Sequence, residues 1–325
     1  MTAGAAPELR DRYVGCLVGA GLADSMGKLT EFLDRDLIVF QYGPRGLTEP
    51  PAHALYTDDT QLAMATARGL LKAGDQVLPR VVEAVAQEYL AWLALQDNPV
   101  HRRSPGVAVM DALGRVRRGV PTTASADGGA NDSIAATRGV PVALRYRGDV
   151  QRVVETAAEL CRITHAHPAA VSAAAAAALF VDYALSGVPI ADWTGKAILN
   201  VKRWCPDDTH VTVEAIRTVE RTLDWSPEDA MTEQFRARPG YGGGWTADEA
   251  LGIGLWCFLQ APDDYARAVR LAVNAYGDSD TDAIAFLTGA FSGAHNGLAG
   301  IPPEWVGRLE DGDKIRALAE RLVEA

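Results

Sequence analysis

Gly277-Asp278-Ser279-Asp280-Thr281-Asp282 runs straight into an apolar helical segment that begins at Ala283, and the chain reads outward from that junction. Three carboxylates and two hydroxyls fall within six residues. Carboxylates at alternate positions repel one another unless a cation sits between them. Alternating oxygen side chains are what hard divalent ions such as Mg²⁺, Mn²⁺ or Ca²⁺ take as ligands. Asp and Ser are equally ordinary helix caps. Alone, the hexapeptide therefore reads either as an over-provided N-cap or as half of a metal site, and on both readings a helix starts there.

Helical periodicity extends in both directions from this point. A helix over Pro7–Gly27 carries Gly15, Gly19, Ala20, Gly21 and Ala23, a small-residue stripe suited to a central, closely surrounded helix. Val82, Val85, Tyr89 and Trp92 share one helical face. Further helices are expected over Val150–Cys161, Pro168–Leu185, Asp192–Cys205, Thr209–Leu223, Asp248–Leu259, Asp263–Ala275, Asp282–Leu298 and Asp313–Glu324. Phe40–Tyr56, Asn98–Gly148 and Phe235–Thr246 read as irregular, the middle one as long loops around short helices. No strand alternation, fixed-period repeat or linker is visible. The expectation is all-α, a single domain over 1–325, with the polar loops before residues 60, 150 and 248 converging on one end.

Hydrophobic residues make up 48% of the 325, enough for a large core. A net charge of −11 argues against nucleic acid or an acidic membrane as partner. Cys16, Cys161, Cys205 and Cys257 form no Cys-x-x-Cys pair and fall in helical runs, which reads as buried free thiols. Residues 1–11 lack a signal-peptide pattern, and the uncharged run Pro168–Val181 is short for a membrane span, so a soluble, cytoplasmic protein is expected.

A second acidic cluster, Thr57-Asp58-Asp59-Thr60, also opens a helix. By itself it is a strong N-cap. Only folding can bring it to Asp278, and together the two clusters suggest a carboxylate-bridged two-metal site. A third element, Ala23-Asp24-Ser25-Met26-Gly27-Lys28-Leu29-Thr30-Glu31, ends on a carboxylate just beyond the first helix.

These residues together resemble the ADP-ribosylglycohydrolase family. Gly15, Gly19, Asp24, Gly27 and Glu31 match its first motif in register, and Thr57–Thr60 matches its T-D-D-T. Gly277-Asp278-Ser279-Asp280-Thr281 and Gly289-Ala290-Phe291-Ser292-Gly293-Ala294 match its last. Thr164-His165 with Pro168, the Gly240-Tyr241 loop, and Ile301-Pro302 with Trp305 also agree, so the resemblance covers nearly the whole chain. It implies an all-α fold with two Mg²⁺ (or Mn²⁺) at one end. The implied ligands are Thr57, Asp58, Asp59, Asp278, Asp280 and Thr281, with Asp280 as bridge and Ser279 and Asp282 in support. Glu31 and Asp59 are the implied catalytic carboxylates.

The implied reaction is hydrolysis of the glycosidic bond between ADP-ribose and an acceptor, foremost arginine on a protein, by a monomeric enzyme. Such a reaction passes an oxocarbenium-like transition state that carboxylates stabilise. Asn131, Asp132 and Ser133 lie in a glycine-rich loop whose backbone N–H groups are expected to hold the pyrophosphate. His165 and Tyr241 are expected at the distal ribose and adenine. The chain departs from the family's pattern at three places. Thr137 stands where methionine is usual, Ala23 replaces a glycine, and His295-Asn296 replace aromatics expected near the site wall.

The alternatives are a hydrolase of small ADP-ribosylated or O-acyl-ADP-ribose metabolites, a non-catalytic ADP-ribose-binding member of the fold, and a Mg²⁺-dependent terpene synthase. The last needs a third acid at position 62, where Leu62 stands, and its cation-guiding cavity suits more than 7% aromatics.

Overall fold

The fold is built around two helices that touch backbone to backbone. In the computed structural model, which describes residues 5–205, 208–226, 243–275 and 279–325, α1 (Ala5–Gly27) and α14 (Thr281–Asn296) form the most extensive helix pair. The small-residue stripe is what makes this possible. A Cβ on Gly293 would lie 2.0 Å from the Gly15 carbonyl oxygen, and one on Gly289 would lie 2.3 Å from that of Gly19. Neither contact can exist for a larger residue, so the glycines of both helices set their separation. Every residue of α14 from Thr281 to Ala294 is buried, so this helix runs through the middle of the molecule.

Around this pair lie α3 (Asp58–Ala73), α4 (Leu78–Leu95), α5 (Val107–Arg117), α8 (Val150–Cys161), α9 (Pro168–Ser186), α12 (Ala247–Gln260), α13 (Tyr265–Val273) and α16 (Gly312–Val323). Shorter or peripheral helices are α2 (Arg35–Tyr42), α6 (Ile134–Thr137), α7 (Val140–Tyr146), α10 (Trp193–Trp204), α11 (His210–Thr222) and α15 (Pro303–Val306). One continuous apolar core joins residues from Tyr13 to Leu322. Among the described residues there are isolated β-bridges and no strands. The all-α expectation holds, and the four cysteines are buried thiols as expected.

α9 has an apolar stretch, Pro168–Leu185, long enough to cross a membrane, but 94% of it is buried inside the fold. It is a core helix, and its alanines let α8, α12 and α14 pack close. The same helix narrows one expectation. The loop before residue 150 donates the Gly148 N–H to the Asp182 carboxylate (2.6 Å), near the far end of α9. Fourteen residues of α9 separate Asp182 from its start at Pro168, roughly 20 Å along the axis. The last residues of that irregular segment therefore lie at the opposite end from the acidic clusters, because α9 crosses the molecule between them, whereas Gly106, Asp127 and Ser133 of the same segment reach the acidic end. His295 and Asn296 are likewise away from the acidic end. His295 packs edge-on against Trp193 and Phe258 in an aromatic cluster and pairs with Asp263 at 3.3 Å. It closes the C-terminal end of α14, about 20 Å of helix from Asp280.

Candidate active site

The acidic residues are set by a buried clamp. Asp24, near the end of α1, is fully buried, and its carboxylate accepts the backbone N–H groups of Thr57 (3.1 Å) and Thr60 (3.2 Å) as well as the Thr60 hydroxyl. These donors belong to the first turn of α3, where helix N–H groups have no partner inside the helix. The Thr57 hydroxyl caps the same turn by accepting the Asp59 N–H at 3.3 Å. Asp58 and Asp59 thus sit at a helix N-terminus, where the helix dipole favours negative charge. Asp58 also accepts the Gly106 N–H (3.4 Å), and Asp59 accepts the Thr137 hydroxyl (2.7 Å). Thr137, the departure at the usual methionine, holds a cluster carboxylate in place.

The start of α14 is brought to this point by Gly27. A Cβ there would lie 2.2 Å from the Thr281 carbonyl oxygen and 2.5 Å from the Asp282 Cα, so only glycine lets the end of α1 seat against α14. The Thr281 hydroxyl donates to the Gly27 carbonyl at 2.7 Å and accepts from Thr30 at 3.1 Å. Asp280 caps α14 and accepts the Ser133 hydroxyl at 2.6 Å. Oxygens of Glu31, Asp280 and Asp282 then lie within 4.8 Å of one another.

The electrostatic result is a group of carboxylates held against their own repulsion. Burial first, and the Asp282 charge second, push Asp58, Asp59 and Asp280 well above the ordinary carboxylate range. The same two causes raise Asp24 to about 7 and the half-buried Glu31 to about 8. Among the described residues no lysine or arginine ion-pairs with this cluster. An all-oxygen donor set, buried, without a counter-cation and paying for its own repulsion, has the chemistry a hard divalent cation requires.

The cluster forms the floor of a cavity of about 690 Å³. Trp245 lines it, and Phe32 stacks on Trp245 with centroids 5.0 Å apart. Phe32 adopts φ 62°, a conformation uncommon for a non-glycine residue and found most often at functional sites.

The loop of Asn131, Asp132 and Ser133 is pinned to the segment before α12. Ser133 N–H donates to the Trp245 carbonyl (3.1 Å), Ala247 N–H to the Asn131 carbonyl (3.0 Å), and the Asn131 amide to Asp248 (3.0 Å). Asp132 and Ser133 line the cavity. His165 is wholly buried and does not line it. Arg138 can only donate, so His165 Nδ1 accepts from it (2.9 Å) and the ring proton sits on Nε2, facing the Asp132 carboxylate at 3.2 Å. Burial lowers the His165 pKa and keeps the ring neutral. In this structure His165 supports the loop from below, where a contact with the distal ribose or adenine was expected.

Of the sequence-derived site, Glu31, Asp58, Asp59 and Asp280 are brought together, with Thr57 and Thr281 directly behind them. Asp278 and Tyr241 lie outside the described residues. Asp282, read as a supporting residue, faces the cavity as a full member of the cluster. Asp24, noted only as a motif position, is the clamp that orders α3. A buried acid three residues before the helix-ending Gly27 was the signal for it. Arg115 and Asp111 on α5 also line the cavity and carried no signal in the sequence.

Fold and cluster together define an all-α protein with an oxygen-only group of side chains, of the kind that could hold a cation, at the floor of a pocket. The sequence profile of the ADP-ribosylglycohydrolase family matches residues 5–325, and the chain belongs to that family, whose members hydrolyse glycosidic bonds to ADP-ribose. It is 25% identical to the ADP-ribosyl-[dinitrogen reductase] glycohydrolase of Rhodospirillum rubrum, over 98% of this chain and 96% of that one. It is 28% identical to human ADP-ribosylhydrolase ARH3, over 98% and 94%. It is 24% identical to the ADP-ribosylarginine hydrolase Tri1 of Serratia proteamaculans, over 97% and 80%. A solved ADP-ribosylglycohydrolase-related protein complex superposes with a TM-score of 0.72 at 25% identity, covering 98% of this chain and 99% of that one.

Proposed function

We propose that the chain is a Mg²⁺-dependent hydrolase that releases ADP-ribose from ADP-ribosyl-arginine on a protein. The observation that carries this reading is the buried group of Glu31, Asp58, Asp59, Asp280 and Asp282 at the cavity floor, with no basic partner among the described residues. Asp58, Asp59, Asp280 and Asp282 would hold two Mg²⁺, or Mn²⁺ in their place. Thr57 and Thr281 each keep a lone pair for the same purpose, and Asp278 is the further ligand implied by the sequence. When bound, such ions fix sugar hydroxyls and lower the pKa of bound water.

The chain's own residues do the rest. Glu31 stands at the edge of the cluster and lines the cavity, where its carboxyl is placed to give a proton to the departing acceptor nitrogen. Asp59, oriented by Thr137, places negative charge beside an anomeric carbon that becomes positive as the bond breaks. Ser133 steadies Asp280, and Trp245, stacked on Phe32, forms part of one wall.

The arginine acceptor is favoured because two of the three relatives compared above act, by name, on ADP-ribosylated dinitrogen reductase or ADP-ribosylarginine. Within this reading the protein works as a single domain and a monomer in the cytoplasm, and its net charge of −11 favours no nucleic-acid partner.

The test is ADP-ribose release from ADP-ribosyl-arginine protein, ADP-ribosyl-serine protein and O-acyl-ADP-ribose, each with Mg²⁺, with EDTA, and with Asp280→Ala. Release confined to the arginine substrate and lost with EDTA and with Asp280→Ala is the expected result. No release from any of them would refute the hydrolase reading, and release surviving chelation would refute the cation requirement.

A further inference from the structure

The cavity wall is acidic almost throughout, which is an unfavourable surface for an anionic diphosphate. Besides the five floor carboxylates, Asp111, Asp127 and Asp132 line it, and Arg115 is the only basic side chain among the described lining residues. Arg115 lies in the last turn of α5. Its Nε donates to the Ser125 carbonyl at 2.6 Å, and Ser125 is in turn anchored by its hydroxyl to the Ile163 carbonyl at 2.7 Å. The guanidinium is therefore held at one edge. Neither Nη atom has a hydrogen-bond or ion-pair partner among the described residues, although Asp111 lies one turn earlier on the same helix.

The loop expected to bind the pyrophosphate through its backbone has three of its seven N–H groups engaged elsewhere. Gly129 N–H donates to the Asp127 carboxylate (2.8 Å), Ala130 N–H to the Asp127 carbonyl (3.3 Å), and Ser133 N–H to Trp245. Three of its donors thus point into the protein's own turns. α5 starts where Gly106 meets Asp58 at the cavity floor. Nine residues of helix set Arg115 about 13 Å along the α5 axis from Gly106. Arg115 thus lines the same cavity from the far end of α5, away from the residue that meets Asp58. A planar guanidinium with two free Nη groups matches phosphate oxygens in pairs.

We propose that Arg115 binds the diphosphate of the ADP-ribosyl substrate and makes that group a requirement of the site. The proposal rests on the ADP-ribosyl hydrolase reading and extends it to a residue outside the shared motifs. The competing role is structural, with Arg115 tethering Ser125 and complementing the C-terminal dipole of α5.

The experiment is calorimetric titration of the Mg²⁺-loaded full-length protein with ADP-ribose, for wild type, Arg115→Gln and Arg115→Lys, alongside thermal melting and steady-state kinetics. A charge-assisted contact predicts about 10–100-fold weaker ADP-ribose binding in Arg115→Gln. Part of it should return in Arg115→Lys, with KM rising, kcat kept, and melting temperatures within about 1 °C of wild type. Arg115→Gln affinity within twofold of wild type would overturn the proposal while leaving the hydrolase reading intact. Equal loss in both variants together with lowered melting would assign Arg115 the tethering role instead and would also overturn it. A wild type that neither binds nor releases ADP-ribose would refute the underlying reading, and the proposal with it.

Discussion

Removing divalent cations should make this protein less stable as the pH rises from 6.5 to 8.0, opposite to what ordinary paired carboxylates produce. A carboxyl whose pKa is raised by folding binds its proton more tightly in the folded state, so stability is lost as pH climbs through the folded value. Asp24, raised from 3.8 to about 7, loses about 1 kcal/mol over this interval. Glu31, raised from 4.5 to about 8, would lose about 2 kcal/mol, which its partial exposure halves to roughly 1. Asp58, Asp59 and Asp280 act in the same direction. The buried His165 has its pKa lowered, so it stays neutral throughout this window and does not contribute. The sum is on the order of 2 kcal/mol, or roughly 3 °C for a chain of this size. Calorimetric melting in EDTA at the two pH values measures it, and repeating the scans in Mg²⁺ should shrink the difference. Cations and protons compete for the same oxygens, so Mg²⁺ should raise the melting temperature more at pH 8.0 than at 6.5. A metal-free melting temperature that is flat or rises across this interval would refute the account of the cluster, as would equal Mg²⁺ increments at both pH values.

Three further outcomes follow from the same geometry. Asp282→Asn removes the second cause of its neighbours' raised pKa values and leaves their burial, so the metal-free protein should gain about 1 kcal/mol at pH 8.0 and lose part of the pH slope, read by urea unfolding in EDTA. Gly27→Ala forces a Cβ into the Thr281 and Asp282 backbone. It should cost about 1–3 kcal/mol and lower kcat by separating Glu31 from Asp280, and wild-type values for both would contradict the close-approach argument. Thr137→Val leaves Asp59 without its hydroxyl donor. It should lower kcat/KM about tenfold with a stability change of only about 1 kcal/mol, to be compared by kinetics and melting on one preparation.

Much of the site was legible because it is written in local chemistry. Thr57-Asp58-Asp59 and Asp280 start helices, and capping residues announce a helix N-terminus within four positions. The glycines at 15, 19, 289 and 293 mark a close crossing because no other residue permits it, and the crossing brings the two acidic clusters to one end. What sequence spacing does not carry is the rotational phase of each helix. Successive residues of α14 point about 100° apart, so whether Thr281 or Asp282 faces the cavity depends on how α1 seats against that helix at Gly27.

The same limit explains His165 and Arg115. A histidine next to a threonine before a helix can face a ligand or the interior. Only the placement of Arg138 and Asp132, which are distant in sequence from it, turns the ring inward. Arg115 looks like any basic residue in a last helical turn until Ser125 and the cavity wall are folded around it. Helical architecture, family and the identity of the acidic residues are thus readable along the chain, because periodicity, capping and glycine contacts are local or pairwise. The tertiary structure decided which oxygens converge, which charge lies opposite them and which end each loop reaches, because these depend on helix phase and on the packing of residues far apart in the chain.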